Sequence, residues 1–452
     1  MNVPSAEIRP KLTRMLDVRD SVALVTGVMV GVGIFRIPTE VARELGAVGP
    51  ILLVWALGGG MSFLGSLIHA ELASAWPRTG GIYVSFRECF GPLTSFLFGW
   101  GQLLIVRPAW LAVIAIVFAD YMEYFLPPDG GSTGALIAIC AILAASIVTS
   151  VGVQVKGKLQ NRLTVVKVAA LLLIVVSALL VAGGSGFHPP GAIDRFVWDR
   201  SGLSAMGAAL VMIYWTYDGW SELSMVAGEI ETPGKTIHRS LILGCAGVTA
   251  LYLLVNIAFL NVLSVPGVAG SRHVASDVMV RLLGPFGGIL MAALLVVATF
   301  GALNSTALAG SRLFFTMAVD GNFFSWARRV ETAVRTPIAA NVIQALLAIP
   351  LIWFWSLAEI VTCYIFVSLL FHLGAVLALV CLRRKADVSP ERYRAWGHPF
   401  TSIVFAGGTA ALLGNICIRS FSQAAVGSLV LLSGIPVFLI WKRFRAVARA
   451  AR

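Results

Sequence analysis

Within the apolar run from Ser21 to Leu45 the chain reads Gly27-Val28-Met29-Val30-Gly31-Val32-Gly33-Ile34-Phe35-Arg36-Ile37-Pro38. The run is long enough to cross a bilayer as a helix, yet it is poorly built to remain one. Each interior glycine costs roughly 1 kcal/mol relative to alanine, and proline removes a backbone donor. In lipid such an interruption survives where the freed backbone groups face protein, water or a bound solute. Interrupted helices at the midplane are a principal sequence pointer to a transporter's binding site. The plainer reading is that Gly27 and Gly31, four apart, let a neighbouring helix approach closely. Gly33 and Pro38, so soon after, favour a true break.

Of the 452 residues 58% are apolar and 12% charged, against about 25% charged in ordinary globular domains. With apolar runs recurring along the sequence, this predicts an all-α polytopic membrane protein. Twelve spans are expected, at roughly 21–45, 50–75, 93–126, 134–151, 161–182, 203–230, 237–263, 285–317, 337–356, 358–382, 401–419 and 424–441. The third and eighth are long enough to be tilted. Connections are short, which leaves no room for a sizeable soluble domain.

The net charge of +12 raises nucleic acid as a partner, and the placement of the charge excludes it. With a cytoplasmic N-terminus, about 24 of the 34 Lys and Arg residues fall on the inner side, from Arg9, Lys11, Arg14 and Arg19 to Lys442, Arg443 and Arg445. That is the positive-inside pattern, and it puts both termini in the cytoplasm. Residues 1–20 read as a cytoplasmic tail and not a cleaved signal, since no small-residue cleavage site follows. Residues 442–452 form a second tail. The six cysteines are scattered singly, so neither a metal cluster nor a disulfide framework is indicated. No cofactor is expected.

Four basic residues remain at membrane depth: Arg36, Arg107, Lys167 and Arg312. Ionisable groups there are costly and functional by default. Arg312 lies near a helix end, where it is expected to snorkel. Arg107, followed by Pro108, is expected to face the bundle interior, with no partner legible. A second interruption stands in span six, Tyr214-Trp215-Thr216-Tyr217-Asp218-Gly219-Trp220-Ser221-Glu222, where Asp-Gly is a turn signal within an apolar helix. If spans one to five and six to ten are two halves, spans one and six are their matching first elements and both are broken. An inverted repeat with the solute between its halves predicts that correspondence.

At these residues the chain resembles the amino acid–polyamine–organocation superfamily, and within it bacterial members of the L-type amino acid transporter family. The family's span-one motif G-S-G-I-F-x-x-P is similar to Gly31-Val32-Gly33-Ile34-Phe35-Arg36-Ile37-Pro38. Its span-two signature reappears as Ala70-Glu71-Leu72 and Pro77-Arg78-Thr79-Gly80-Gly81-Ile82-Tyr83. The span-six block matches Tyr217-Asp218-Gly219-Trp220, Glu229 and Thr232-Pro233-Gly234-Lys235. Asn304-Ser305, Ser311-Arg312 and the loop Tyr393-Arg394-Ala395-Trp396-Gly397-His398-Pro399 also match, so nearly the whole chain is covered.

The resemblance implies twelve transmembrane helices in a five-plus-five inverted repeat (LeuT-like), with discontinuous helices one and six and two trailing helices. The repeats are then residues 21–182 and 203–382, and the trailing pair 401–441. It implies a multi-pass protein of the cell (plasma or inner) membrane that moves amino acids by alternating access. The backbone N–H groups of Val32, Gly33 and Ile34, at the positive end of a half-helix, would hold the substrate carboxylate. Carbonyls at Met29, Trp215, Thr216 and Asp218 would accept from the α-ammonium. Trp215 takes the position of an aromatic lid, although a core or interfacial tryptophan fits the sequence as well. Lys167 takes the place a sodium ion occupies in sodium-coupled relatives, which makes transport sodium-independent; carrying a proton is its alternative role.

Departures from the family pattern carry their own expectations. Val32 replaces the usual serine. Asp218 adds a carboxylate that either favours cationic substrates or pairs with Arg36 as an outer gate, and the pairing is the expectation taken. His69 stands where relatives have an aromatic and is read as a packed histidine. The loop Pro127–Gly134 holds no cysteine, so no disulfide-linked subunit is expected. Asn304-Ser305-Thr306 spells a glycosylation sequon but falls within a span. The function read from the sequence is sodium-independent transport of L-amino acids, neutral ones first, by exchange. A proton symporter, a carrier of cationic amino acids or polyamines, and a membrane amino acid sensor are the alternatives. A membrane enzyme is disfavoured, because no nucleophile–base set or metal-ligand spacing is present.

Overall fold

The computed structural model describes residues 15–450 apart from 79, 127–132, 151–156, 182–195, 320, 322, 325–337 and 386–391. The first expected span is two helices. α1 (Val18–Met29) is capped by Asp17, whose carboxylate takes the Asp20 N–H at 2.8 Å. α2 (Ile37–Leu45) carries Pro38 in its first turn, where a missing N–H is harmless. Between them the chain leaves helical geometry at Val30 and makes one 3-10 turn, Gly33–Phe35.

α3 (Val48–Ala75) ends before the Pro-x-x-G-G segment, after which a short separate helix, α4 (Ile82–Phe90), precedes α5 (Pro92–Gly101). Span three is one long helical stretch, Pro92–Glu123, with a change of pitch inside it. α5 passes through a π turn, Gln102–Val106, into α6 (Arg107–Glu123). Pro108 has no N–H to offer the preceding turn, and a π turn is the local answer to that gap. α7 (Thr133–Ser150) and α8 (Gly157–Val181) follow.

A second interrupted helix follows. α9 (Arg200–Tyr217) stops at Asp218, whose backbone turns extended, and resumes as the short α10 (Glu222–Met225) and a 3-10 turn, Ala227–Glu229. α11 (Pro233–Gly270) bends at Ser264 ahead of Pro266. The eighth expected span begins at residue 285, but α12 starts at Val274 and bends at Gly284, where φ is +75°. Proline disfavours α-helical geometry in the residue before it, and Gly284 precedes Pro285, so the helical stretch from Val274 lies ahead of the bend and escapes a reading based on apolar length. α13 (Ile338–Phe354), α14 (Leu357–Arg384), α15 (Phe400–Arg419) and α16 (Phe421–Ala450) follow.

Among the described residues eight helical stretches are long and apolar enough to cross a membrane, and three shorter apolar helices accompany them. No named strand occurs among those residues; one isolated bridge joins Leu16 to Ile230. It ties the segment leading into α1 to the segment leaving α10, with Met15 and Leu16 N–H groups on the Glu229 carbonyl at 2.9 and 3.0 Å. α1, α2 and α3 pack on α11 and α9 packs on α2 and α3, whereas α6, α7, α12 and α13 pack on one another, with α8 against α12 and α11. α14 touches both groups and also α15 and α16.

The two interruptions meet at Gly219. Its φ is +121°, and a Cβ there would stand 2.7 Å from Val28 Cγ1 and 3.1 Å from the Val28 carbonyl carbon. Both the conformation and the contact demand glycine. Gly219→Ala should therefore lower stability by about 2 kcal/mol or more. Gly247→Ala, at a position with nothing within 4 Å, should not. Thermal unfolding of the two purified variants in detergent checks this, and a wild-type Tm for Gly219→Ala would contradict it.

Candidate functional site

A cavity of about 300 Å³ lies where the breaks meet. It is lined by Met29, Gly31, Val32, Gly33, Lys167, Trp215, Thr216 and Asp218, eight of the residues singled out from sequence. Ile34 is buried behind the cavity and Arg36 lies outside it. The cavity extends past Glu222 to Gly80 and Glu229, the face on which residues 15–16 pair with Glu229.

At the first break the Gly31 N–H folds back onto the Met29 carbonyl at 2.7 Å. Phe35 and Arg36 donate to Val32 and Gly33, which closes the 3-10 turn. Among the described residues no backbone carbonyl accepts the N–H groups of Val32, Gly33 or Ile34. Three consecutive donors at the start of this 3-10 turn can converge on an anion. Gly33 makes room for the second break: a Cβ there would sit 2.8 Å from Thr216 Oγ1 and 2.9 Å from Trp215 Cζ3. The Trp215 ring thus lies against the donor turn.

The acceptors are distributed differently from the sequence expectation. The Met29 carbonyl also receives the Tyr252 hydroxyl at 2.7 Å, so its two lone pairs are both engaged. The Trp215 carbonyl takes the Asp218 N–H at 3.1 Å. Among the described residues no backbone N–H reaches the carbonyls of Thr216 or Asp218. Lys167, 4% exposed, places Nζ 3.3 Å from the Gly27 carbonyl. Its ammonium therefore sits at the C-terminal, negative end of α1.

The expected Arg36–Asp218 pair is not formed. Arg36 binds Asp120 at 3.0 Å and Glu40 at 2.6 Å. α2 starts one residue after Arg36, so the side chain leaves on the face that also carries Glu40 four positions on, and α6 supplies Asp120. Asp218 instead accepts from the Tyr364 hydroxyl and from the Gly219 N–H, the latter at 2.7 Å. Both donors are neutral.

Arg107 has a partner that the sequence did not reveal. It is 2% exposed and binds Glu222 at 2.9 Å and, from Nε, Gln102 at 3.2 Å. The π turn brings Gln102 to Arg107 in place of a residue one helical turn away. A smaller polar recess of about 40 Å³ opens beside the main cavity, with Arg107, Asp218, Glu222, Tyr364 and His372 on its wall. His69 is a packed residue, edge-on to Trp220 at 4.6 Å between ring centres and 5.4 Å from His372. The Arg312 side chain lies outside the described set.

Two sequence segments noted separately meet away from the cavity. Glu71, fully buried, takes Arg383 through both carboxylate oxygens at 3.0 and 2.7 Å and the Ala395 N–H at 2.7 Å. Ser74 accepts the Tyr393 N–H at 3.1 Å, which docks the 392–395 loop onto α3.

Paired broken helices around a buried cavity with free donors at one end describe a membrane carrier, not a catalyst. The chain belongs to the amino acid permease family, whose model matches residues 16–441. It is 28% identical over 429 residues to the serine/threonine exchanger SteT of Bacillus subtilis, covering 94% of this chain and 96% of that protein. It is likewise 28% identical over 449 residues to the cystine/glutamate transporter of Homo sapiens, covering 97% and 88%. To the Asc-type amino acid transporter 1 of Homo sapiens it is 29% identical over 446 residues, covering 97% and 84%. The family is one of transporters and not enzymes.

Removing one member of a buried ion pair strands the other. Glu222→Gln should lower stability by on the order of 3 kcal/mol, and adding Arg107→Gln should recover part of the loss. Melting curves of the single and double variants test this; equal Tm values for wild type and Glu222→Gln would contradict it.

Proposed function

We propose that this protein is a sodium-independent exchanger of L-amino acids that works by alternating access, with neutral side chains preferred. The observation that carries the reading is the row of free N–H groups at Val32, Gly33 and Ile34 beside the cavity. A carboxylate satisfies three donors that the protein leaves open, in charge-assisted hydrogen bonds. The α-ammonium then lies toward the Thr216 and Asp218 carbonyls. Recognition is by backbone, so it serves any amino acid whose side chain fits the remaining space. Trp215 covers the bound solute.

Lys167 supports sodium independence. Its ammonium supplies a fixed positive charge at the end of α1, where a bound cation would otherwise serve. The architecture of this reading is the twelve-span, five-plus-five inverted repeat with two trailing helices, in the cell membrane and with both termini cytoplasmic. The cavity, which reaches Gly80 and Glu229, then opens inward. Exchange is favoured by the names of the relatives, one of which is an exchanger.

A second reading rests on Asp218. Its carboxylate lines both the cavity and the recess and meets only neutral donors, which leaves a buried negative charge available to a cationic substrate. Proteoliposomes in sodium-free buffer, empty or preloaded with unlabelled amino acid, separate these outcomes when labelled leucine, alanine and arginine are offered. Leucine or alanine uptake confined to preloaded vesicles is expected, with at least a tenfold loss in Lys167→Ala at equal membrane abundance. Full activity in that variant removes the role given to the lysine, and uptake into empty vesicles driven by a pH gradient replaces exchange with proton symport.

A further inference from the structure

Two ion pairs tie α6 to the broken helices, and they lie on opposite sides of the cavity. On one side Arg107 holds Glu222, directly after the break in span six. On the other, Asp120 holds Arg36, directly after the break in span one. The polarity is reversed between them: α6 gives the base to one and the acid to the other. Arg107, Trp110 and Ile114 of α6 line the cavity, and Asp120 does not. The cavity therefore ends between Ile114 and the Arg36–Asp120 pair.

The outer pair is part of a larger closure. Glu40 binds Arg36 and also Arg43 at 3.1 Å. The Tyr121 hydroxyl donates to the Phe35 carbonyl at 3.0 Å, so the residue before Arg36 is held by the residue after Asp120. His273 packs edge-on to Tyr121 and places Nε2 on the Asp120 carbonyl. Arg36 and Asp120 are mostly buried, with side chains 12% and 19% exposed.

We infer that Asp120 is a positioning residue for transport: with Arg36 it forms a latch that shuts the outer side, while Arg107–Glu222 is the pivot about which the broken helices turn. This rests on the alternating-access reading above. The geometry distinguishes the roles. Asp120 is thirteen residues along α6 from Arg107, about 20 Å at the helical rise. A rigid-body rotation of about 15° about the inner pair carries a group at that distance by about 5 Å. An ion pair at 3.0 Å does not survive that displacement, whereas a pair at the axis does. Opening outward thus requires the Arg36–Asp120 contact to break and leaves Arg107–Glu222 in place.

Side-specific labelling of the full-length protein tests the latch without any substrate, so it stands or fails apart from amino acid uptake. A cysteine at Ile114, on the cavity wall between the pairs, is exposed to a membrane-impermeant maleimide in right-side-out and inside-out vesicles. The protein without that cysteine serves as blank. With the latch intact, modification is expected from the side of the termini. Arg36→Gln or Asp120→Asn should raise modification from the opposite side about fivefold, and the exchange Arg36→Asp with Asp120→Arg should restore the original pattern. Arg272→Gln, which frees Glu123 three residues along α6 from Asp120 in an exposed pair, should leave the ratio between sides unchanged. An unchanged ratio in both neutralised variants, at normal membrane abundance, overturns the latch. So does a swap that fails to restore the pattern, or a shift in Arg272→Gln as large as that in Asp120→Asn.

Discussion

Everything at the centre of this molecule depends on backbone groups that a helix would have satisfied and a bilayer will not. Apolar surroundings charge several kcal/mol for each unmade hydrogen bond, so a break in a buried helix must be answered. The protein answers most of it internally. Gly31 turns back on Met29, Tyr252 caps the same carbonyl, Lys167 covers Gly27, and Asp218 captures the next N–H for itself. What stays open is a short row of donors at 32–34 and two carbonyls at 216 and 218, on neighbouring segments. On the proposed reading, that complementary remainder receives an amino acid's zwitterion.

Two glycines make the arrangement possible. Gly219 lets the second break cross Val28, and Gly33 lets Trp215 and Thr216 press against the donor turn. The charges are then sorted by location. Arg107 and Glu222 neutralise each other beside the cavity, Arg36 is paired outside it, and Asp218 accepts only from neutral donors. Within this frame α6 is the common post, touched by both broken helices. Glu71 and Arg383 join α3 to α14 away from the cavity, linking the group that holds the breaks to the helix that bridges both groups.

The breaks were legible because their causes are local: Gly31, Gly33 and Pro38 in one run, Asp218-Gly219 in the other. Lys167 was legible because a lysine amid apolar residues has few reasons to be there. Partners were not. Glu222 stands 115 positions from Arg107 and Asp120 84 positions from Arg36, and no periodicity links them. The Arg36–Asp218 expectation joined the two breaks by charge alone. It ignored that a helix starting at Ile37 fixes where the Arg36 side chain leaves. Tyr252 and Tyr364 sit in apolar stretches where a tyrosine is unremarkable, and their roles exist only through the backbone and carboxylate they cap. The π turn before Arg107 had a visible cause in Pro108, but its consequence, Gln102 meeting Arg107, follows from three-dimensional register.

The central claim is that backbone donors at 32–34 recognise a carboxylate. It is tested most directly by ligand-induced thermal stabilisation of the purified protein. A ligand that binds the folded state raises Tm according to its concentration over Kd. L-alanine, L-leucine and L-arginine would be compared with their methyl esters, which keep the ammonium and side chain but lose the anionic carboxylate. At least one free acid should raise Tm at millimolar concentration while its ester leaves Tm unchanged. Esters that stabilise as well as the acids would contradict the account.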